Sequence, residues 1–268
     1  MNPTDLRAQL DAIAAQVDLA RQVQHDPVWI VRGYPDAADR EVVALVAACL
    51  AYGRVSLIQR SLRACLAPLG AHPAQTLASP DHDHGATLDA LATFKHRMAS
   101  GQDVAWLYFA VHKVLRADGS LWACFARHDD PADEDYLKAL TGLVAELYQH
   151  VPHKTDGFRH LLVDPRGGSA CKRLNLFMRW VVRGPDEVDL GLWAQASPAR
   201  LTIAVDTHIA RIAQTLGLSQ RRTPDWRMAR EITARLRALD PDDPLRYDFP
   251  LCHYGVLGHP TEGLGGDN

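Results

Sequence analysis

The sequence predicts a mainly α-helical fold, and three observations carry that expectation. Apolar residues recur at helical spacing through most of the chain, as in Leu6, Leu10, Ile13 and Val17. Glycine and proline fall between the periodic segments, where they stop helices. No stretch alternates apolar and polar residues in the manner of a strand.

In chain order, residues 6–22 read as an amphipathic helix, followed by a loop over 25–35. Residues 38–50 form a strongly apolar helix ending near Gly53, and 56–69 a further helix stopped by Gly70 and Pro73. Residues 81–85 read as an exposed polar loop. Helices are expected over 88–98, 104–115, 121–128 and 133–150, then an irregular connection over 152–168. Helices over 169–183, 206–216, 225–239 and 244–257 complete the set. The expected organisation is one helical domain of two lobes over 1–257 and a disordered, glycine-rich tail over 258–268.

With 268 residues, 47% of them hydrophobic and 23% charged, the chain has the composition of a globular protein with a full core. Its apolar runs are too short to span a bilayer, and residues 1–18 lack the apolar core of a signal peptide. A cytoplasmic protein with no membrane partner is the reading. Five scattered cysteines, Cys49, Cys65, Cys124, Cys171 and Cys252, show neither metal-ligand nor disulfide spacing. No metal or other cofactor is expected. Asp81-His82-Asp83-His84 and Asp240-Pro241-Asp242-Asp243 read as solvated turns rather than ion sites.

The net charge is −3, which by itself argues against a nucleic-acid partner. The distribution points the other way. Residues 154–183 hold seven Lys or Arg against two acids, and residues 221–237 hold six Arg against two acids. Solvated helix faces are the alternative reading of both runs.

The sharpest local signal is Val205-Asp206-Thr207-His208-Ile209-Ala210-Arg211-Ile212-Ala213, followed by Leu216-Gly217-Leu218. It spells a helix with an Asp N-cap, an apolar face and a glycine stop. This segment resembles the part of the endonuclease III-like helix-hairpin-helix DNA glycosylases that carries their catalytic aspartate. The helix around Ala44-Leu45-Val46-Ala47-Ala48-Cys49-Leu50-Ala51-Tyr52-Gly53 is similar to the opening core helix of that superfamily, although the Gln-rich turn that usually follows is replaced by Ala51-Tyr52-Gly53-Arg54. The chain as a whole also resembles a bacterial family of uncharacterised proteins, most strongly over 161–257.

The resemblance implies a two-lobed helix-hairpin-helix glycosylase-like fold and a monomer that acts on double-stranded DNA, with the hairpin and catalytic segment over 161–218. The hairpin would be Leu162-Val163-Asp164-Pro165-Arg166-Gly167-Gly168-Ser169-Ala170-Cys171-Lys172, which departs from the superfamily's Leu-Pro-Gly-Val-Gly-x-Lys. Lys172 precedes Asp206 by 34 residues, a long gap similar to that of archaeal 8-oxoguanine glycosylases. Arg166, Gly167, Gly168, Ser169, Arg173 and His208 are the candidate DNA contacts, and no iron–sulfur cluster is expected, since Cys252 alone follows the aspartate helix.

Lys172 is the candidate nucleophile and Asp206 its electrostatic partner. Ser169 reads as the N-cap, so Lys172 falls in a first helical turn, where the dipole disfavours a cation. The chain holds five lysines against 24 arginines, so a lysine at this position is informative. A phosphate-contacting or solvated lysine is the alternative. Trp106, Tyr108, Phe158 and Trp193 are candidates for a base pocket, with a core role favoured for each. Three functions remain open: removal of an oxidised base with associated β-lyase activity, a monofunctional glycosylase using Asp206 and water, and a DNA-binding protein without chemistry.

Overall fold

The computed structural model describes residues 3–259 and is mostly helical; the tail assigned as disordered lies, from residue 260 onward, outside the described residues. The chain divides into two compact units, His25–Gly167 and Met1–Gln24 with Gly168–Asn268. The boundary falls between Gly167 and Gly168, so the segment 161–218 contributes to both.

The chain opens in the second of these units with α1 (Pro3–Ala14) and α2 (Leu19–Gln22). The single helix expected over 6–22 is interrupted because Asp18 starts a new one, its carboxylate accepting from the Arg21 N–H at 3.0 Å.

The His25–Gly167 unit then holds α3 (Val28–Arg32), α4 (Ala37–Cys49), α5 (Val55–Leu66), α6 (Pro73–Ala78) and α7 (His84–Ala90). A ribbon of β1 (Lys95–His96) and β2 (Ala99–Ser100) follows, then α8 (Gly101–Asp118), α9 (Leu121–Ala126), α10 (Leu137–Gln149) and α11 (Asp156–Leu161). From Val42 to Cys49 every residue of α4 is buried, as its uninterrupted apolar run predicts. Glu41 is buried beside them and serves α9, accepting from the Leu121 and Trp122 N–H groups at 2.9 Å each.

Several expectations fail in this unit. Residues 88–98 do not make one helix: α7 stops at Ala90 and Arg97 takes a left-handed turn between the strands. The approach to α8 there is so close that a Cβ on Gly101 would lie 1.7 Å from the Leu91 carbonyl oxygen. The loops expected over 25–35 and 152–168 contain α3 and α11, of five and six residues. Helices this short span too few turns to show a period.

The other unit continues with α12 (Lys172–Val182), α13 (Thr207–Thr215), α14 (Trp226–Arg237) and α15 (Asp248–Val256). Both α13 and α1 pack on α15, with Leu6, Leu10 and Ile13 as the buried face of α1. The chain after α12 folds back over its end, where Leu190 and Trp193 donate to the Trp180 and Val181 carbonyls. Trp193 meets Phe177 edge to face at 5.3 Å.

Arg179 is buried at the centre of this unit. Its Nε donates to Asp189 at 3.0 Å and its Nη1 to Asp248 at 2.6 Å. Arg183 extends the network to the other oxygen of Asp189 and to Asp243. Burial pushes the Asp189 carboxyl up to about 6 against the pull of both arginines, and raises that of Asp248. Two of the seven cations read over 154–183, Arg179 and Arg183, are therefore spent inside the protein rather than offered to a partner. Removing one member of a buried ion network strands the others, at about 3–5 kcal/mol. Arg179→Met should lose stability on that scale in urea unfolding, while Arg60→Met, at an exposed position, should stay within about 0.5 kcal/mol of the parent.

Candidate functional site

Lys172 and Asp206 meet. Lys172 is the first residue of α12 and Asp206 is the N-cap of α13. Nζ of Lys172 lies 3.1 Å from Oδ2 of Asp206. The two Asp206 oxygens divide their work. Oδ1 accepts from the His208 and Ile209 N–H groups at 2.9 Å each, which starts the helix and fixes the carboxylate plane. Oδ2 is left to face Lys172.

Cys252 of α15 is the third member, which sequence reasoning missed. Its Sγ donates toward Oδ2 of Asp206 at 3.8 Å. It lies one helical turn beyond Asp248, so the same face of α15 meets Arg179 with one residue and Asp206 with the other. The signal that could have found it is that i, i+4 spacing.

Burial works to raise the Asp206 carboxyl, but the Lys172 ammonium, the Ile209 N–H and His208 outweigh it and hold the group below its usual range. The Asp206 side chain is 14% exposed and that of Lys172 36%, so the pair stands at a wetted edge of the core.

The approach to Lys172 differs from the expectation. Ser169 does not cap α12. The N-cap is Cys171, in a left-handed conformation with φ 46°, and no side chain caps the helix there. Gly168, at φ 74°, and Cys171 turn the chain twice within four residues, which keeps Ser169 out of the helix. Ser169 instead forms an antiparallel bridge with Asp225, and the Trp226 N–H donates to the Gly168 carbonyl at 3.3 Å. The hairpin residue and the start of α14 are thus stitched together.

The other expected DNA contacts are distributed. Arg173 follows Lys172 on α12, half-buried. His208 lies in the first turn of α13, and a Cβ on Gly255 of α15 would come within 2.8 Å of its Cβ. Arg166 and Gly167 belong to the other unit, where Arg166 is held by Asp164 through Nε at 3.0 Å and Nη2 at 2.6 Å.

Of the four aromatic residues considered for a base pocket, Tyr108, Phe158 and Trp193 are buried core residues. Trp106 is half-buried against His84, with ring centroids 4.6 Å apart. His84 is accordingly not in an exposed loop, and the expectation for 81–85 is corrected: Asp83 caps α7, and His82 and His84 are half-buried, their pKa values lowered chiefly by burial.

One group of three potential metal ligands is drawn together among the described residues. Nδ1 of His72 lies 3.5 Å from Asp36 and 3.4 Å from Asp39. These members are too far apart in sequence to form a motif. Asp39 is buried and gives its other oxygen to the Ala74 N–H at 2.8 Å, so the group also ties α4 to the start of α6. Cys49, Cys65, Cys124 and Cys171 are buried and outside any disulfide, as expected of scattered cysteines.

A protein-family model matches residues 26–257, a span that includes Lys172, Asp206 and Cys252. The chain belongs to that family. It is described as a protein of unknown function, DUF2400, so membership supplies no activity. No curated protein and no solved structure matches the chain. The match to DUF2400 begins after α1 and α2.

The lowered pKa of Asp206 has a pH signature. Stability from its ionised form is fully present above the unfolded carboxyl pKa, near 3.8, and is lost as pH falls through the lower folded value. Asp206→Asn keeps a capping side chain. It should therefore be less stable than the parent at neutral pH, and the gap measured by urea unfolding should close below about pH 3.8.

Proposed function

We propose that the protein is a DNA glycosylase with associated β-lyase activity, in which Lys172 attacks the sugar of a damaged, oxidised nucleotide and Asp206 stabilises the charge that develops there. The observation that carries this reading is the 3.1 Å approach of Nζ of Lys172 to Oδ2 of Asp206 at two adjoining helix starts. It is supported by the resemblance of the Asp206 segment to the aspartate segment of helix-hairpin-helix glycosylases.

The reaction needs a neutral amine. In the resting pair Lys172 is an ammonium beside a carboxylate, so it must first lose a proton. Asp206, held below the usual carboxylate range, is a weak proton acceptor. The side chain of Lys172 is 36% exposed, so water is within reach as the acceptor. Asp206 then stays ionised through the reaction and works electrostatically. Nζ bonds to C1′ as the C1′–N bond to the base breaks, and the base leaves with the bonding pair. Nζ loses one proton to water, and the C1′–O4′ bond then breaks with its electron pair and the second Nζ proton going to O4′, which gives the imine. Removal of a C2′ proton then expels the 3′ phosphate, which nicks the strand.

The target base must leave the stack to reach such a pair. Gly168, Ser169 and Arg173 border Lys172 in the chain and are the residues assigned here to the neighbouring phosphates.

Borohydride should trap a covalent adduct between the protein and a lesion-containing duplex, and Lys172→Ala should abolish it while duplex binding persists. Asp206→Asn should slow base release by at least about a hundredfold, since a preorganised charge aimed at the transition state is worth roughly 3 kcal/mol. Trapping that survives Lys172→Ala overturns the assignment of the nucleophile. Full activity in both variants overturns the reading.

A further inference from the structure

Helix α14 buries Trp226, Met228, Ala229, Ile232, Thr233 and Leu236. Its opposite face is exposed and carries Arg227, Arg230 and Arg235, with exposed Arg222 in the turn before it. We infer that Arg222, Arg227 and Arg235 form a second phosphate-contacting surface for duplex DNA, continuous with Gly168 and Ser169. The inference rests on the proposed DNA reading and extends it to a surface outside the Lys172–Asp206 site.

Local charge is the first argument. Residues 221–237 hold six arginines and two acids, a local excess of four positive charges in a chain whose net charge is −3. Both acids are already engaged by one arginine. Arg221 grips Asp225 through Nε at 3.1 Å and Nη2 at 2.7 Å, and its Nη1 lies 3.8 Å from Glu231. Glu231 also accepts from Ser219 at 2.6 Å. Arg237 is half-buried and donates to the Ala199 carbonyl at 3.0 Å, so it belongs to the scaffold. Exposed positive charge therefore stands on Arg222, Arg227 and Arg235, with Arg227 near enough to help lower the Asp225 carboxyl.

Placement is the second argument. The Ser169–Asp225 bridge and the bond from Trp226 N–H to the Gly168 carbonyl anchor the first turn of α14 to the hairpin residues beside Lys172. A duplex strand that passes Gly168 and Ser169 would meet this ridge next. Arg227 and Arg235 are eight residues apart, about 12 Å along the helix axis. That spans three to four nucleotide steps of roughly 3.4 Å each.

The test is the salt dependence of binding to an undamaged 20-base-pair duplex, read by fluorescence anisotropy between about 50 and 200 mM salt. The combined variant R222Q/R227Q/R235Q should reduce the slope of log affinity against log salt by about 2.7, or 0.9 per lost contact, and weaken binding at 0.1 M salt by the order of a hundredfold. If the combined variant does not fold by circular dichroism, R227Q and R235Q singly should each reduce the slope by about 0.9. Removing two exposed arginines of the other unit, R60Q/R116Q, should leave the slope nearly unchanged. An unchanged slope in the α14 variants, with the parent binding duplex and forming the borohydride adduct, overturns the ridge and leaves the proposed function standing. An equal loss in R60Q/R116Q overturns the ridge in favour of a general charge effect. A parent protein that binds no duplex at any salt overturns both.

Discussion

The arrangement around Lys172 depends on one buried cation. Arg179 lies two turns further along α12 than Lys172, on the same face. It binds Asp189 in the chain that folds back over α12 and Asp248 at the start of α15. An isolated guanidinium in that position would be intolerable, so α12 and α15 must stay in register for it to keep both carboxylates. That register sets Lys172 at one end of the α12 face and brings Cys252 of α15 to the same oxygen of Asp206. Apolar packing alone would hold these helices together with more freedom to slide, because burial is not directional. The ion network costs desolvation and supplies position.

Asp206 shows how little sequence is needed to build half of a site. A short carboxylate at an N-cap is held by two backbone N–H groups, which leave one oxygen for another partner. Helix start and reactive anion are one residue, and a change that spares the cap can still remove the charge. The other half required Lys172 to arrive from 34 residues away. The left-handed Cys171 and the bridge from Ser169 to Asp225 deliver it.

What was legible in the sequence follows from this division. The helix at 207–215 and its cap were readable because N-cap chemistry and apolar spacing are local. The apolar run of α4 was readable for the same reason. Lys172 and Asp206 were paired by resemblance to a glycosylase family, not by spacing. Cys252 and Asp248 stayed hidden because their i, i+4 spacing shows only that they share a face of α15, while the packing that brings that face to the site is not local. The charge run over 154–183 misled because sequence records a charge without its direction: Arg179 and Arg183 point inward. The ribbon at 95–100 was missed because two-residue strands are too short to alternate, and α11 because one and a half turns carry no period.

The missing side chain of Gly255 lets α15 lie against His208 and Ile212, both within 3.2 Å of where a Cβ would stand. The next two residues, Val256 and Leu257, are half exposed and meet no such limit of space. A single methyl group at 255 would push α15 off α13 and carry Cys252 away from Asp206. Position 255 thus holds the geometry of the site through the side chain it lacks, although it bears no chemistry of its own.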